Sequence, residues 1–127
     1  MHEQDLAIVK GLVSVAWADG VFAEREREML DALLEAYGAD ASDRSALNAY
    51  AAEKRTLDDI DPQDLSASDR RVLLQHAVLL AFADGSLSQE EAEMLTALAT
   101  KLRIPDAEAK ELIDAGTARA KASLKLL

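Results

Sequence analysis

Nineteen residues of this chain occur twice. The segment Ala16–Leu34 recurs as Ala81–Ala99, an offset of 65 residues, and ten of the nineteen positions are identical. Trp17/Phe82 and Phe22/Leu87 are conservative exchanges. A repeat constrains architecture strongly, because each copy must find a similar local structure and bury its apolar face against something. Two copies are too few for a solenoid. They predict one domain, residues 1–127, in which two helix–loop–helix halves (6–37 and 72–102) pack with pseudo-twofold symmetry.

The residues between and within the copies read as helices. Leu6, Val9, Val13, Ala16 and Trp17 follow helical spacing, so a first helix is expected from Asp5 to Ala18, stopped by Gly20. Met29, Leu30, Leu33, Leu34 and Tyr37 form the apolar face of a second, from Glu24 to Tyr37, stopped by Gly38. A third is expected after Ser42 as N-cap, ending near Glu53. Asp61-Pro62 reads as cap and first helical residue of a short turn to about Leu65. A long helix starts at Ser66 or Ser68 and runs through Val72, Leu73, Val78, Leu79 and Phe82 to Ala83. Ser88 caps the next, with Met94, Leu95, Leu98 and Leu102 on its inner face. Pro105 opens the last, to Lys121 or beyond. No stretch alternates with the two-residue period of a strand. The expected fold is therefore all-α, a bundle of about seven helices.

Composition sharpens what such a domain can do. Half of the chain is hydrophobic, enough for a real core. Charges interrupt every apolar run well short of a membrane span. There is no cysteine, which removes disulfides, thiolate catalysis and zinc–cysteine sites. The first residues, Met1 to Asp5, are acidic where a secretory signal would be basic, so a cytoplasmic location is expected. The formal net charge is −10; residues 101–127 carry +2, which leaves −12 on the first hundred. Such a surface repels phosphate backbones and attracts cations or basic proteins. Plain solubility is the simpler meaning of the same charge.

The chemistry-bearing part of the repeat is Ala-Asp-Gly with a glutamate seven residues after the aspartate: Asp19, Gly20 and Glu26, then Asp84, Gly85 and Glu91. One reading is structural. Ser88 and Glu91 have capping-box spacing, acids suit the first turn of a helix, and the aspartates can bond loop amides. The other reading starts from what this leaves over. Ala23 stands at the cap position of the first copy and cannot accept a side-chain bond, yet Glu26 is present. Asp19 and Asp84 fall at helix C-termini, where negative charge is unfavourable. Glu26 crowns the stripe Leu30, Leu33 and Tyr37; Glu91 crowns Leu95, Leu98 and Leu102. If the loops meet, up to four carboxylates come together, a costly arrangement unless protons or a cation neutralise it. A hard divalent ion, calcium first, is the candidate cofactor. The pattern is not an EF-hand, because Val21, Phe22 and Ala23 occupy the loop where ligands would be needed.

The doubled Ala-Asp-Gly-x-hydrophobic-x-x-x-Glu pattern, with Met-Leu three residues on, resembles the TerB-like family. The likeness runs from about Leu6 to Ile113. That family includes the tellurite-resistance protein TerB and N-terminal domains of membrane-anchored DnaJ-type co-chaperones. The resemblance implies a helical bundle, metal-associated acids at Asp19, Glu26, Asp84 and Glu91, and a stress-response or recruitment role rather than catalysis. Ala23 departs from the family's small polar cap and Val21 from its more usual polar residue, which weakens the first site more than the second.

The remaining candidates have plain structural alternatives. Asp58, Asp59, Asp61 and Asp64 could hold a cation or a basic peptide loosely; a solvated turn capped by Asp61 is the simpler reading. His76 has only His2 as a second imidazole, so a partly buried structural histidine is expected. No serine has the partners of a catalytic triad, and no glycine-rich phosphate loop is present, so no enzyme activity is expected. Trp17 and Phe82 could form an exposed recognition pair; packing in the core is the simpler reading. The tail with Arg119, Lys121 and Lys125 either folds onto the acidic body or touches an anionic membrane surface peripherally, without insertion. Two functions follow: a divalent-cation-binding regulatory domain, or a metal-free acidic module that recruits a basic protein.

Overall fold

A computed structural model gives the fold. It describes the backbone of residues 3–17, 24–81 and 88–125, with side chains for 3–17, 27–81 and 88–119. The described residues form six α-helices, α1 (Glu3–Ala16), α2 (Glu24–Ala36), α3 (Ala41–Ala51), α4 (Ala67–Ala81), α5 (Gln89–Lys101) and α6 (Asp106–Lys125), with two one-turn 3₁₀ helices at Leu57–Asp59 and Pro62–Asp64. The all-α expectation holds. The described residues hold six α-helices rather than seven helices: the short turn expected from Pro62 to Leu65 is present as a single 3₁₀ turn capped by Asp61, and Leu65 beyond it has extended backbone.

The helix ends have local causes. Asp40, not Ser42, caps α3: its Oδ1 accepts from Asp43 N at 2.8 Å, and Asp43 Oδ2 accepts from Asp40 N at 3.2 Å. This reciprocal pair holds the Asp43 carboxyl below its ordinary value, chiefly through the Asp40 backbone N–H. The helix then stops at Ala51, two residues before the expected Glu53. Ser66 is the cap of α4, its Oγ accepting from Asp69 N at 3.0 Å. At the far end of α2, Gly38 takes φ +72°. Gly38 N bonds Glu35 O at 3.1 Å and Ala39 N bonds Leu34 O at 2.9 Å, which satisfies carbonyls left over by the helix. Arg103 does the same after α5 at φ +59°, with Arg103 N on Thr100 O and Ile104 N on Ala99 O, each at 3.0 Å.

The 65-residue offset reaches past the duplicated segment. α2 and α5 begin at Glu24 and Gln89 and end at Ala36 and Lys101; α3 and α6 begin at Ala41 and Asp106. α1 and α4 end at Ala16 and Ala81.

The two helices that open the halves, α1 and α4, pack on each other; α1 also packs on α2 and α3, and α4 on α5 and α6. Their approach is close. A Cβ on Gly11 would stand 2.6 Å from Leu73 Cδ2, and one on Gly116 in α6 would stand 2.9 Å from Val78 Cγ1. Leu12, Leu73, Leu74, Ala77, Val78, Leu95, Leu98 and Leu102 are fully enclosed. Burying each large side chain stabilises by about 1.5–3 kcal/mol. Polar groups at the edges of this core are paired. Trp17 is half-buried against it, as expected, and its Nε1 donates to Ala51 O at 2.9 Å, fixing the end of α1 to the end of α3. Arg71 of α4 pairs with Glu108 of α6. No helix among the described residues is long and apolar enough to cross a membrane.

Candidate functional site

Of the four acids singled out by the repeat, Asp19 and Asp84 lie outside the described residues, as does the side chain of Glu26. Phe82 lies outside as well. Glu91 is described and is half-buried at the third residue of α5. Ser88 Oγ accepts from Glu91 N at 3.1 Å, and Glu91 Oε1 accepts from Ser88 N at 3.2 Å. The capping box expected from Ser88-Gln89-Glu90-Glu91 is formed, and it accounts for Glu91 without a ligand. Among the described residues no three His, Asp or Glu side chains converge as a metal-binding group.

His76 is half-buried, and its Nε2 lies 3.3 Å from Tyr37 Oη. The bond joins the end of the first half to the opening helix of the second. With Tyr37 donating, the imidazole is neutral, and desolvation lowers its pKa below the ordinary 6.5. Burial raises the Tyr37 pKa, as do the charges of Asp5 and Asp69. The histidine is partly buried, as the sequence suggests.

The linker between α3 and α4 makes a more distinct surface. Two of its aspartates are turn caps. Asp59 Oδ2 accepts from Thr56 N at 2.8 Å, and Asp61 Oδ1 accepts from Gln63 N at 2.9 Å. Arg70 of α4 clamps the linker from beneath, donating to Pro62 O at 2.6 Å and to Leu65 O at 3.2 Å. Ile60 and Leu65 are thereby pressed into the core, while Asp58, Asp59, Asp61 and Asp64 face solvent. Between this linker and α1 runs a groove of about 270 Å³. Its apolar lining comes from Leu6, Gly11, Ile60 and Leu65, its carboxylates from Glu3, Asp59, Asp61 and Asp64.

Two further residues line the groove. Tyr50 projects from α3, with the Arg55 guanidinium 3.8 Å from its ring centroid. Arg55 Nε also donates to Tyr50 O at 3.0 Å, which locks the stack. Lys10 reaches across from α1, its Nζ 5.4 Å from the same centroid. Both distances suit cation–π attraction. The linker aspartates were visible in the sequence as a charge cluster. Tyr50 and Lys10 were not, because they are 40 residues apart and only the packing of α3 on α1 brings them together.

The basic tail extends α6 to Lys125; the side chains of Lys121 and Lys125 lie outside the described residues. No family model, curated protein or solved structure matches the chain.

Proposed function

We propose that this chain is a non-enzymatic, TerB-like helical domain that recruits a basic protein partner through its acidic first half. The observation that carries the reading is the acidic groove between α1 and the linker. Concave surface, apolar lining and a carboxylate rim together suit a protein segment that is both basic and apolar. The charge of −12 on the first hundred residues would speed encounter with such a partner. The two halves are read here as pseudo-twofold copies, supported by the shared offset of α2 with α5 and of α3 with α6. A role beside stress-response proteins follows from the TerB resemblance.

The test is binding of a labelled arginine-rich peptide followed by fluorescence anisotropy. Binding should weaken steeply as salt rises, because screening removes exposed charge attraction. Calcium and chelator should give the same affinity. No binding even at low salt would remove this reading.

A second reading is a divalent cation, calcium first, at Asp19, Glu26, Asp84 and Glu91. It is favoured by the helix register, which makes Glu26 and Glu91 each the third residue of its helix. The cap role of Glu91 argues for the first reading. A calcium-dependent melting temperature would favour the second.

A further inference from the structure

We infer that the groove between α1 and the linker is a receptor for one arginine side chain of a basic partner segment, and that Lys10 occupies its place when no partner is bound. The inference rests on the recruitment reading and names the residue that is recognised. The groove already contains a cation of the chain's own. Lys10 Nζ stands over Tyr50 at 5.4 Å, and Lys10 forms no ion pair among the described residues. The Tyr50 ring, on the groove wall, thus already takes one ammonium.

Size and shape narrow the ligand further. About 270 Å³ lies just below the ~300–1,000 Å³ of small-molecule sites. It suits one long side chain with its adjoining backbone. The carboxylates do not converge on a point, which disfavours a bare ion. An extended cation with an apolar stem fits better, its methylenes on the half-buried Leu6 and Ala7 and its charge among Asp61 and Asp64. Arginine is favoured over lysine on two grounds. Its planar fork can engage two separate carboxylates. The Tyr50 ring also shows its preference within the molecule, taking the Arg55 guanidinium at 3.8 Å.

The test is a backbone-amide NMR titration of the full chain with a short acetylated and amidated arginine-containing peptide. The citrulline version, equal in shape and uncharged, is the control. Shift changes should centre on Lys10, Gly11, Ile60 and Leu65. Asp61→Asn/Asp64→Asn, which keeps a side-chain acceptor for the cap at position 61, should weaken binding about fivefold or more. Glu90→Gln/Glu93→Gln on α5 removes the same charge from an exposed surface elsewhere and should change affinity less than about twofold. Lys10→Met should tighten binding by removing the chain's own ammonium from the groove. If both acid pairs weaken binding equally, or the shifts scatter over the acidic surface, the groove is not the receptor and general recruitment survives. If the peptide does not bind at all, both readings fall.

Discussion

The first half closes its second helix with Gly38, and the second half closes its own with Arg103, at the same place and in the same left-handed conformation. Glycine adopts that conformation without steric cost, whereas a residue with a Cβ gives up roughly 1–2 kcal/mol. The carbonyls of Leu34 and Ala99 nevertheless receive equivalent bonds. The backbone solution is thus kept where the side chain is unfavourable, so the turn is dictated by what it joins. Both halves must bring the next helix, α3 or α6, back against the opening helix of its own half. Other positions 65 residues apart differ in character. Gly11, which lets α1 approach Leu73 of α4, has His76 as its counterpart, and the buried Ser14 has Leu79, which is 43% exposed.

Equivalent core deletions offer the largest test of this equivalence. Leu30→Ala and Leu95→Ala each remove an enclosed leucine from the corresponding position of α2 and α5, and each should cost about 2–5 kcal/mol. Urea unfolding followed by circular dichroism and by Trp17 fluorescence should give one coincident transition for both variants. Separate transitions would mean that the halves are independent.

The helix ends give a smaller effect of opposite sign. Gly38→Ala should destabilise by about 1 kcal/mol, and Arg103→Gly should stabilise by up to about 1 kcal/mol. Equal signs in a thermal-melt comparison would break the claim that the two turns are alike. Ser88→Ala should cost ~1 kcal/mol through the loss of the acceptor for Glu91 N. A much larger loss on melting, restored by added calcium, would instead make the α5 start part of an ion site.

The smallest expected effect is the pH dependence at His76. Its folded pKa is depressed by burial below the unfolded value of about 6.5. The unfolded chain therefore binds the proton first. This contribution to stability is complete above the unfolded value and declines as pH falls from there towards the folded value. His76→Gln should flatten the decline between pH 7 and 5 in urea melts; an unchanged slope would assign it to carboxylates.

Much of the helical frame was legible in the sequence, since apolar spacing and the Ser88 and Ser66 caps act within a few residues. The start of α3 is less legible, because Asp40 and Ser42 are residue types that both serve as caps and only the structure shows that Asp40 accepts from Asp43 N. The Pro62 turn itself is legible from Asp61-Pro62, but the Arg70 bonds to Pro62 O and Leu65 O come from α4 and are not. The groove was legible only as scattered aspartates, since its ring and its lysine come from helices that meet in tertiary packing.

Whether the duplicated acids hold a cation or the domain works without metal is decided most directly by thermal unfolding in chelator and in calcium. The proteins to compare are the native chain and Asp19→Asn/Asp84→Asn. Recruitment without metal predicts the same melting temperature in both buffers for both proteins. A rise in calcium for the native chain, absent from the double variant, would contradict it and place an ion at the paired loops.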